Sequence, residues 1–216
     1  MKDAVLDDRL PLPTDRAVDL LAASPKLREI VDRAAGLFDQ EGYHRVSMED
    51  IANAVGLRKP SLYHYVRSKD QILALIHHEF MELVIQRQEA RANVAMPSAQ
   101  RVLEVMSDIL ELMETHRGHV RVFFEHYREL PEEEQRLVRQ ERDRYEASVE
   151  QVIEAGIRAA EFRPVNVRLT TLALFGMCNW AYQWYRKGGS MRTREVGYEF
   201  WQLFLRGIET DAPAIW

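Results

Sequence analysis

The placement of proline constrains this chain most. Eight prolines punctuate 216 residues. Proline is tolerated in the first turn of a helix and excluded from its interior. Pro25, Pro97, Pro131 and Pro164 fall between stretches in which apolar residues recur every three or four positions, and they mark helix boundaries. Pro60 stands where a short helix would begin. Pro11, Pro13 and Pro213 lie near the two ends. No long stretch alternates at period two, as a half-buried strand would, and no segment of 20–50 residues repeats. The expected fold is all-α, with about nine helices. Three regions are expected: a charged, mobile N-terminal extension over 1–23, a three-helix unit over 24–70, and a larger helical domain over 71–216.

Within the three-helix unit the helix signals are local and strong. Ser24 is a good N-cap and Pro25 a good first residue. Leu27, Ile30, Val31, Ala34, Ala35 and Phe38 form one apolar stripe over about 25–41, and Gly42 ends it. A short helix over about 47–54 opens on Ser47-Met48-Glu49-Asp50, a serine with an acid three residues later, which fits a capping box. Gly56 stops that helix. The stretch Leu57-Arg58-Lys59-Pro60-Ser61-Leu62-Tyr63-His64-Tyr65-Val66 then reads as a helix of about two turns. Leu62 and Val66, four apart, would face inward and leave Ser61, Tyr63, His64 and Tyr65 outward. Ser68, with Gln71 three residues on, caps a further helix to about 92. Longer helices are expected over about 98–116, 118–129, 132–161, 165–187 and 192–209.

Two short helices joined by a glycine turn make a helix-turn-helix, whose second helix enters the DNA major groove. The overall charge points the other way: 29 Lys+Arg against 34 Asp+Glu leaves −5, and nucleic-acid binders usually show a basic footprint. The charge is segregated, however. Residues 58–69 hold four bases and no acid, whereas acids outnumber bases over 71–216. Arg58, Lys59, Arg67 and Lys69 supply charge for phosphates or guanine edges. Ser61 and the tyrosine hydroxyls reach phosphate oxygens, and the rings of Tyr63, His64 and Tyr65 suit thymine methyls. A solvated basic face is the plain alternative, but aromatics clustered outward on one short helix mark a binding surface.

The residues from Leu27 to about Leu75 resemble the tetracycline-repressor (TetR) family of transcriptional regulators. Three segments carry the resemblance: Ala35-Gly36-Leu37-Phe38-Asp39-Gln40-Glu41-Gly42-Tyr43, the capped run from Ser47 to Gly56, and Pro60-Ser61-Leu62-Tyr63-His64-Tyr65-Val66-Arg67-Ser68-Lys69. By this resemblance Ser47 caps the second helix and binds phosphate. Lys59, Pro60 and Ser61 begin the recognition helix, Tyr63 and Tyr65 contact bases or backbone, and Lys69 meets a phosphate. Many members have glycine where this chain has Pro60, which has no amide to offer a phosphate. The resemblance further implies a homodimer on double-stranded operator DNA, an effector pocket in the C-terminal domain, and repression relieved by the small-molecule effector.

The last two helices carry the apolar faces on which such proteins pair. Leu169, Leu172, Ala173, Gly176, Trp180 and Trp184 lie along one side of the first; Val196, Phe200, Leu203, Phe204 and Gly207 form a stripe on the second. Of these, Leu172, Gly176, Val196, Phe200, Leu203 and Phe204 are expected at the dimer interface, with internal core as the alternative use of such stripes. The run Gly176 to Tyr185, with four large aromatics, resembles TetR-family regulators of fatty-acid, sterol or aromatic-acid degradation, several of which respond to acyl-CoA thioesters. Met177, Trp180 and Trp184 are therefore effector candidates. So are Met106, Leu110 and Met113 on one stripe, and the aromatic group Phe123, Phe124 and Tyr127, since methionine suits irregular apolar pockets. Core, seam and pocket all remain open for Trp180 and Trp184.

Other classes fit less well. His77-His78-Glu79 is not a His-Glu-x-x-His metal motif, and adjacent residues diverge on a helix. His116 and His119 have Gly118 between them and no acid partner nearby in sequence. No metal or cofactor is expected. Cys178, the single cysteine, reads as a buried inert thiol. No glycine-rich phosphate loop or Gly-x-Ser-x-Gly elbow is present, so an enzyme is not expected. No apolar run reaches the roughly 20 residues that span a bilayer, and the N-terminus lacks a signal-peptide core; a cytoplasmic protein without membrane contact is expected. The alternatives are a helical effector-binding or interaction protein without sequence-specific DNA binding, and a TetR-type regulator that responds to drugs or aromatic compounds.

Overall fold

Caps and glycines set the helices in this computed structural model, which describes residues 14–209. Among them are ten α-helices: α1 (Thr14–Ala23), α2 (Pro25–Glu41), α3 (Met48–Ala54), α4 (Lys59–Leu62), α5 (Lys69–Ala90), α6 (Ser98–Thr115), α7 (Arg117–Glu125), α8 (Glu132–Arg158), α9 (Val167–Trp180) and α10 (Thr193–Ile208). Short 3-10 turns follow α7 at Tyr127–Glu129 and α9 at Ala181–Gln183. The described residues contain no β-strand, only an isolated bridge between Phe162 and Glu209. The all-α expectation holds.

Three differences from the sequence reading have physical causes. Helix α1 occupies part of the stretch expected to be a mobile extension, because Ala17 and Leu21 bury one face of it. The prolines Pro11 and Pro13 and the tail proline Pro213 lie outside the described residues. Helix α4 is a single turn. Beyond Leu62 the chain coils through shorter bonds, such as Tyr65 N–H to Leu62 O at 2.9 Å, until Val66 N–H returns to Leu62 O at 3.1 Å. Helix α9 stops at Trp180 rather than near 187. No local breaker sits there. The Tyr185 hydroxyl donates to Glu114 Oε1 at 2.7 Å, which draws the chain out of the helical path.

The described chain falls into two units. The first takes the residues up to Glu82 together with Gly118–Glu141. In it α1 and α3 pack on α2, and α4 packs on α3. Its core holds Leu27, Ile30, Phe38, Ile51, Leu62, Val66, Ile72 and Ile76. Phe80 lies against Phe123, with ring centroids 4.2 Å apart. A buried ion pair sits nearby: His78 Nε2 meets Glu134 Oε2 at 3.0 Å and Nδ1 meets Glu141 Oε1 at 2.9 Å. Burial alone would depress this imidazole, but hydrogen bonds to the two carboxylates and their charge outweigh it and raise its pKa to about 9. The adjacent His77 has no such partner, and burial pulls it down to about 4.

The second unit takes Leu83–Arg117 together with the residues from Arg142 onward. Helix α6 packs against α9 and α10. At its N-terminus the amides of Ser98 and Ala99 both donate to the Glu161 carboxylate at 3.1 Å, so an acid 63 residues away in sequence supplies the cap that Pro97 cannot. At its other end Glu114 accepts from Tyr185 and, at 2.9 Å, from the Thr193 hydroxyl. These bonds hold the Glu114 carboxyl below the ordinary glutamate range.

Candidate nucleic-acid interface

The sequence builds this surface from below. The Ser24 hydroxyl accepts from Leu27 N–H at 3.2 Å and fixes the start of α2. The capping box of α3 is closed on both sides: Asp50 N–H donates to Ser47 Oγ at 3.2 Å, and Ser47 N–H donates to Asp50 Oδ2 at 2.8 Å. Gly56, at φ +67, makes the turn, a backbone conformation that glycine adopts without steric cost. Leu57 N–H then donates to Ala52 O at 2.9 Å, and Ala52 is small enough for α4 to lie close to α3. Leu62 and Val66 are fully buried. With both anchors pointing inward, the outer side of this turn consists of Arg58, Lys59, Pro60, Tyr63, His64 and Tyr65, all exposed, with Ser61 half-buried. Tyr63 is 45 % exposed and Tyr65 36 %. Large aromatics on such a surface are costly to leave wet, and DNA contact would bury them.

Two expected phosphate contacts are engaged elsewhere. Ser47 Oγ donates to Asp50 Oδ2 at 2.6 Å, so both donors of Ser47 point at one carboxylate. Those bonds hold the Asp50 carboxyl below its usual range. Lys69 Nζ donates to Tyr43 O at 2.8 Å and Val46 O at 2.9 Å and lies 4.3 Å above the Tyr43 ring. It ties the 43–46 loop to the start of α5. The Tyr43 hydroxyl in turn bonds Asp70. Burial, first, and then this carboxylate push the Tyr43 pKa well up. Lys26, absent from the sequence-based set, caps α3 by donating to Val55 O at 2.8 Å.

The effector candidates fall in both units. Met106, Leu110 and Met113 are buried in the second, where Leu110 and Ser107 lie against Gly197 of α10. Phe123 is buried in the first unit, beside the half-buried Phe124 and Tyr127. Met177 is half-buried. Trp180 is 65 % exposed, which removes the internal-core reading for it. Trp184 meets Phe200, with ring centroids 6.1 Å apart. The two border an open hollow of about 360 Å³ with Tyr185, Met191 and Val196. Cys178 is buried, and burial pushes its thiol up to about 12, as an inert cysteine requires.

The expected pairing face divides. Leu172, Gly176 and Leu203 are exposed and Phe200 half-buried, while Val196 and Phe204 turn into the core of their own chain. Leu169, Trp180, Tyr198 and the 64 % exposed Leu203 extend the apolar surface.

The glycine turn between the short helices α3 and α4, with α3 packed on α2, makes a helix-turn-helix. Residues 30–76 match the family described as bacterial regulatory proteins, tetR family, and residues 95–208 match the tetracyclin repressor-like C-terminal domain. The chain belongs to the TetR family of transcriptional regulators. It is 25 % identical over 192 residues to the HTH-type transcriptional repressor KstR2 of Mycobacterium tuberculosis, covering 85 % of this chain and 92 % of that one. The crystal structure of the TetR family regulator PfmR from Thermus thermophilus superposes with a TM-score of 0.78 at 30 % identity, over 82 % of this chain and 97 % of PfmR. AibR, solved in complex with isovaleryl coenzyme A and operator DNA, has the same fold: TM-score 0.74 at 22 % identity, over 82 % of this chain and 97 % of AibR. Among the described residues no helix is long and apolar enough to cross a membrane.

Proposed function

We propose that this chain is a cytoplasmic, non-enzymatic repressor that binds a palindromic operator as a homodimer and leaves it when a small hydrophobic effector binds. The observation that carries the DNA reading is the exposed set Arg58, Lys59, Tyr63, His64 and Tyr65, held over the buried anchors Leu62 and Val66. Ser47, Pro60, Ser61 and Lys69 flank it. Ser47 serves chiefly as a cap, and Lys69 combines a structural bond with a phosphate contact. The domains are read as a DNA-binding region over 24–70 and an effector and pairing region over 71–216.

Pairing through α9 and α10 is supported by the exposed run Leu169, Leu172, Gly176, Trp180 and Leu203. Phe200 belongs to its rim. An apolar surface of this kind marks an interaction site, and a symmetric pair presents two recognition helices to a palindrome. For the effector, an acyl-CoA thioester or related acid is the best class. The similarity to AibR, solved with isovaleryl coenzyme A, supports it; the apolar candidates are Met106, Leu110, Met113, Phe123, Phe124, Tyr127, Met177, Trp180 and Trp184.

The test is a gel shift with DNA flanking the chain's own gene, followed by addition of acyl-CoA thioesters of graded length. The expected result is a retarded band that disappears with at least one thioester. A thioester that binds only the folded chain also raises its melting temperature, by an amount set by its concentration over Kd. If no thioester releases DNA or shifts melting, the effector is of another class. If no DNA is bound at low salt, the repressor reading fails.

A further inference from the structure

His119 has no acid beside it in the sequence, but the fold brings two to it. His119 Nε2 lies 3.0 Å from Glu79 Oε2 and 3.6 Å from Asp32 Oδ1. The three ligand atoms lie within 4.8 Å of one another. All three residues lie in the first unit, on three different helices: Asp32 on α2, Glu79 on α5 and His119 on α7. Gly118 makes the approach feasible. A Cβ at that position would stand 2.9 Å from the carbonyl carbon of Ala35 and 3.0 Å from its oxygen. Only glycine lets the start of α7 rest on the backbone of α2, and the residue after it is the histidine.

The spacing suits a metal ion. Around a tetrahedral zinc with bonds of about 2.0–2.1 Å, neighbouring donor atoms sit about 3.3 Å apart. The two separations from His119 Nε2, 3.0 and 3.6 Å, lie on either side of that value. One imidazole and two carboxylates form a mixed nitrogen and oxygen set, which favours Zn²⁺ and neighbouring divalent transition ions over Mg²⁺. The His119 side chain is 4 % exposed and that of Asp32 52 %, so an ion has a solvent-side entry and keeps a position for water.

We propose that Asp32, Glu79 and His119 form a site for one divalent transition-metal ion, Zn²⁺ first among them. Nothing in the sequence alone points to it, because neither candidate histidine group has a suitable partner nearby in the chain. Coordination needs the lone pair of His119 Nε2, so any proton held there is released to solvent as the ion binds. The ion joins α2, beneath the helix-turn-helix, to α5 and α7, and its binding free energy becomes stability of that unit.

The full chain, stripped with a chelator and dialysed, is titrated with ZnCl₂ by calorimetry. Binding of one Zn²⁺ per chain is expected, with a higher melting temperature. Asp32→Asn, at an exposed position, is expected to keep the fold and weaken Zn²⁺ binding by at least about tenfold. His119→Gln is expected to abolish it; if that variant does not fold, Asp32→Asn decides alone. Wild-type chain that takes up no Zn²⁺ at micromolar concentration overturns the proposal. So does Asp32→Asn that binds Zn²⁺ as the wild type does, since the contacts are then an ordinary hydrogen bond and ion pair.

Discussion

A single buried histidine shows how much one side chain can hold. His78 is fully buried between Glu134 and Glu141. A protonated imidazole between two carboxylates offsets the cost of burying their charge. His78→Leu removes that cation and the hydrogen bonds it makes to both acids. The expected cost is about 3–5 kcal/mol, read as a lower urea midpoint. A midpoint within error of the wild type would mean that the pair contributes nothing. The sequence does not single out His78 for this role. It lies beside His77, which resembles it in every local respect, and the acids that distinguish them stand 56 and 63 residues away.

Among the helices and their caps, what was legible in the sequence is what is local. Ser24, the Ser47–Asp50 box, Gly42 and Gly56 act within four residues of themselves, and each sits where the sequence puts it. The inward pair Leu62 and Val66 follows from helical spacing alone, and with it the outward tyrosines. What was not legible depends on distant partners: the Glu161 cap of α6, the early end of α9, and the acids around His119. Glu114 is the clearest case. Its pKa is lowered by the Tyr185 and Thr193 hydroxyls from an ordinary value of 4.5. A depressed carboxyl contributes stability that is present above its unfolded value and lost as pH falls through its folded one. Thermal melts from pH 6 to 3 should therefore show a loss that begins near 4.5 and is smaller in Glu114→Gln. The difference should be modest, since water screens this carboxylate. Parallel curves for the two proteins would rule out this linkage.

For the molecule as a whole, charge distribution matters more than its sum. The net −5 suggests a chain that avoids DNA, yet the acid-free stretch 58–69 forms the exposed turn around α4. The acidic remainder weakens non-specific attraction, so binding should depend steeply on salt and on correct half-site spacing. One short helix reads too little sequence by itself, which ties recognition to pairing. The pattern of α10 shows the limit of a stripe: Val196 and Phe204 turn inward, and Leu203 turns out. Leu203→Glu places a charge on the apolar outer face without touching the core. Analytical ultracentrifugation should find it monomeric, with melting little changed and operator binding lost. A Leu203→Glu chain that remains dimeric would move the seam elsewhere.

Whether the exposed turn around α4 reads a palindrome is decided by footprinting on the DNA upstream of the chain's own gene, with wild type and Tyr63→Ala compared on the same fragment. The wild type should protect two inverted half-sites whose centres lie about one helical turn, roughly 34–36 Å, apart. Tyr63→Ala, still folded and still dimeric, should need a concentration higher by a factor equivalent to about 1–3 kcal/mol. Protection without symmetry, or protection unchanged by Tyr63→Ala, would contradict this reading.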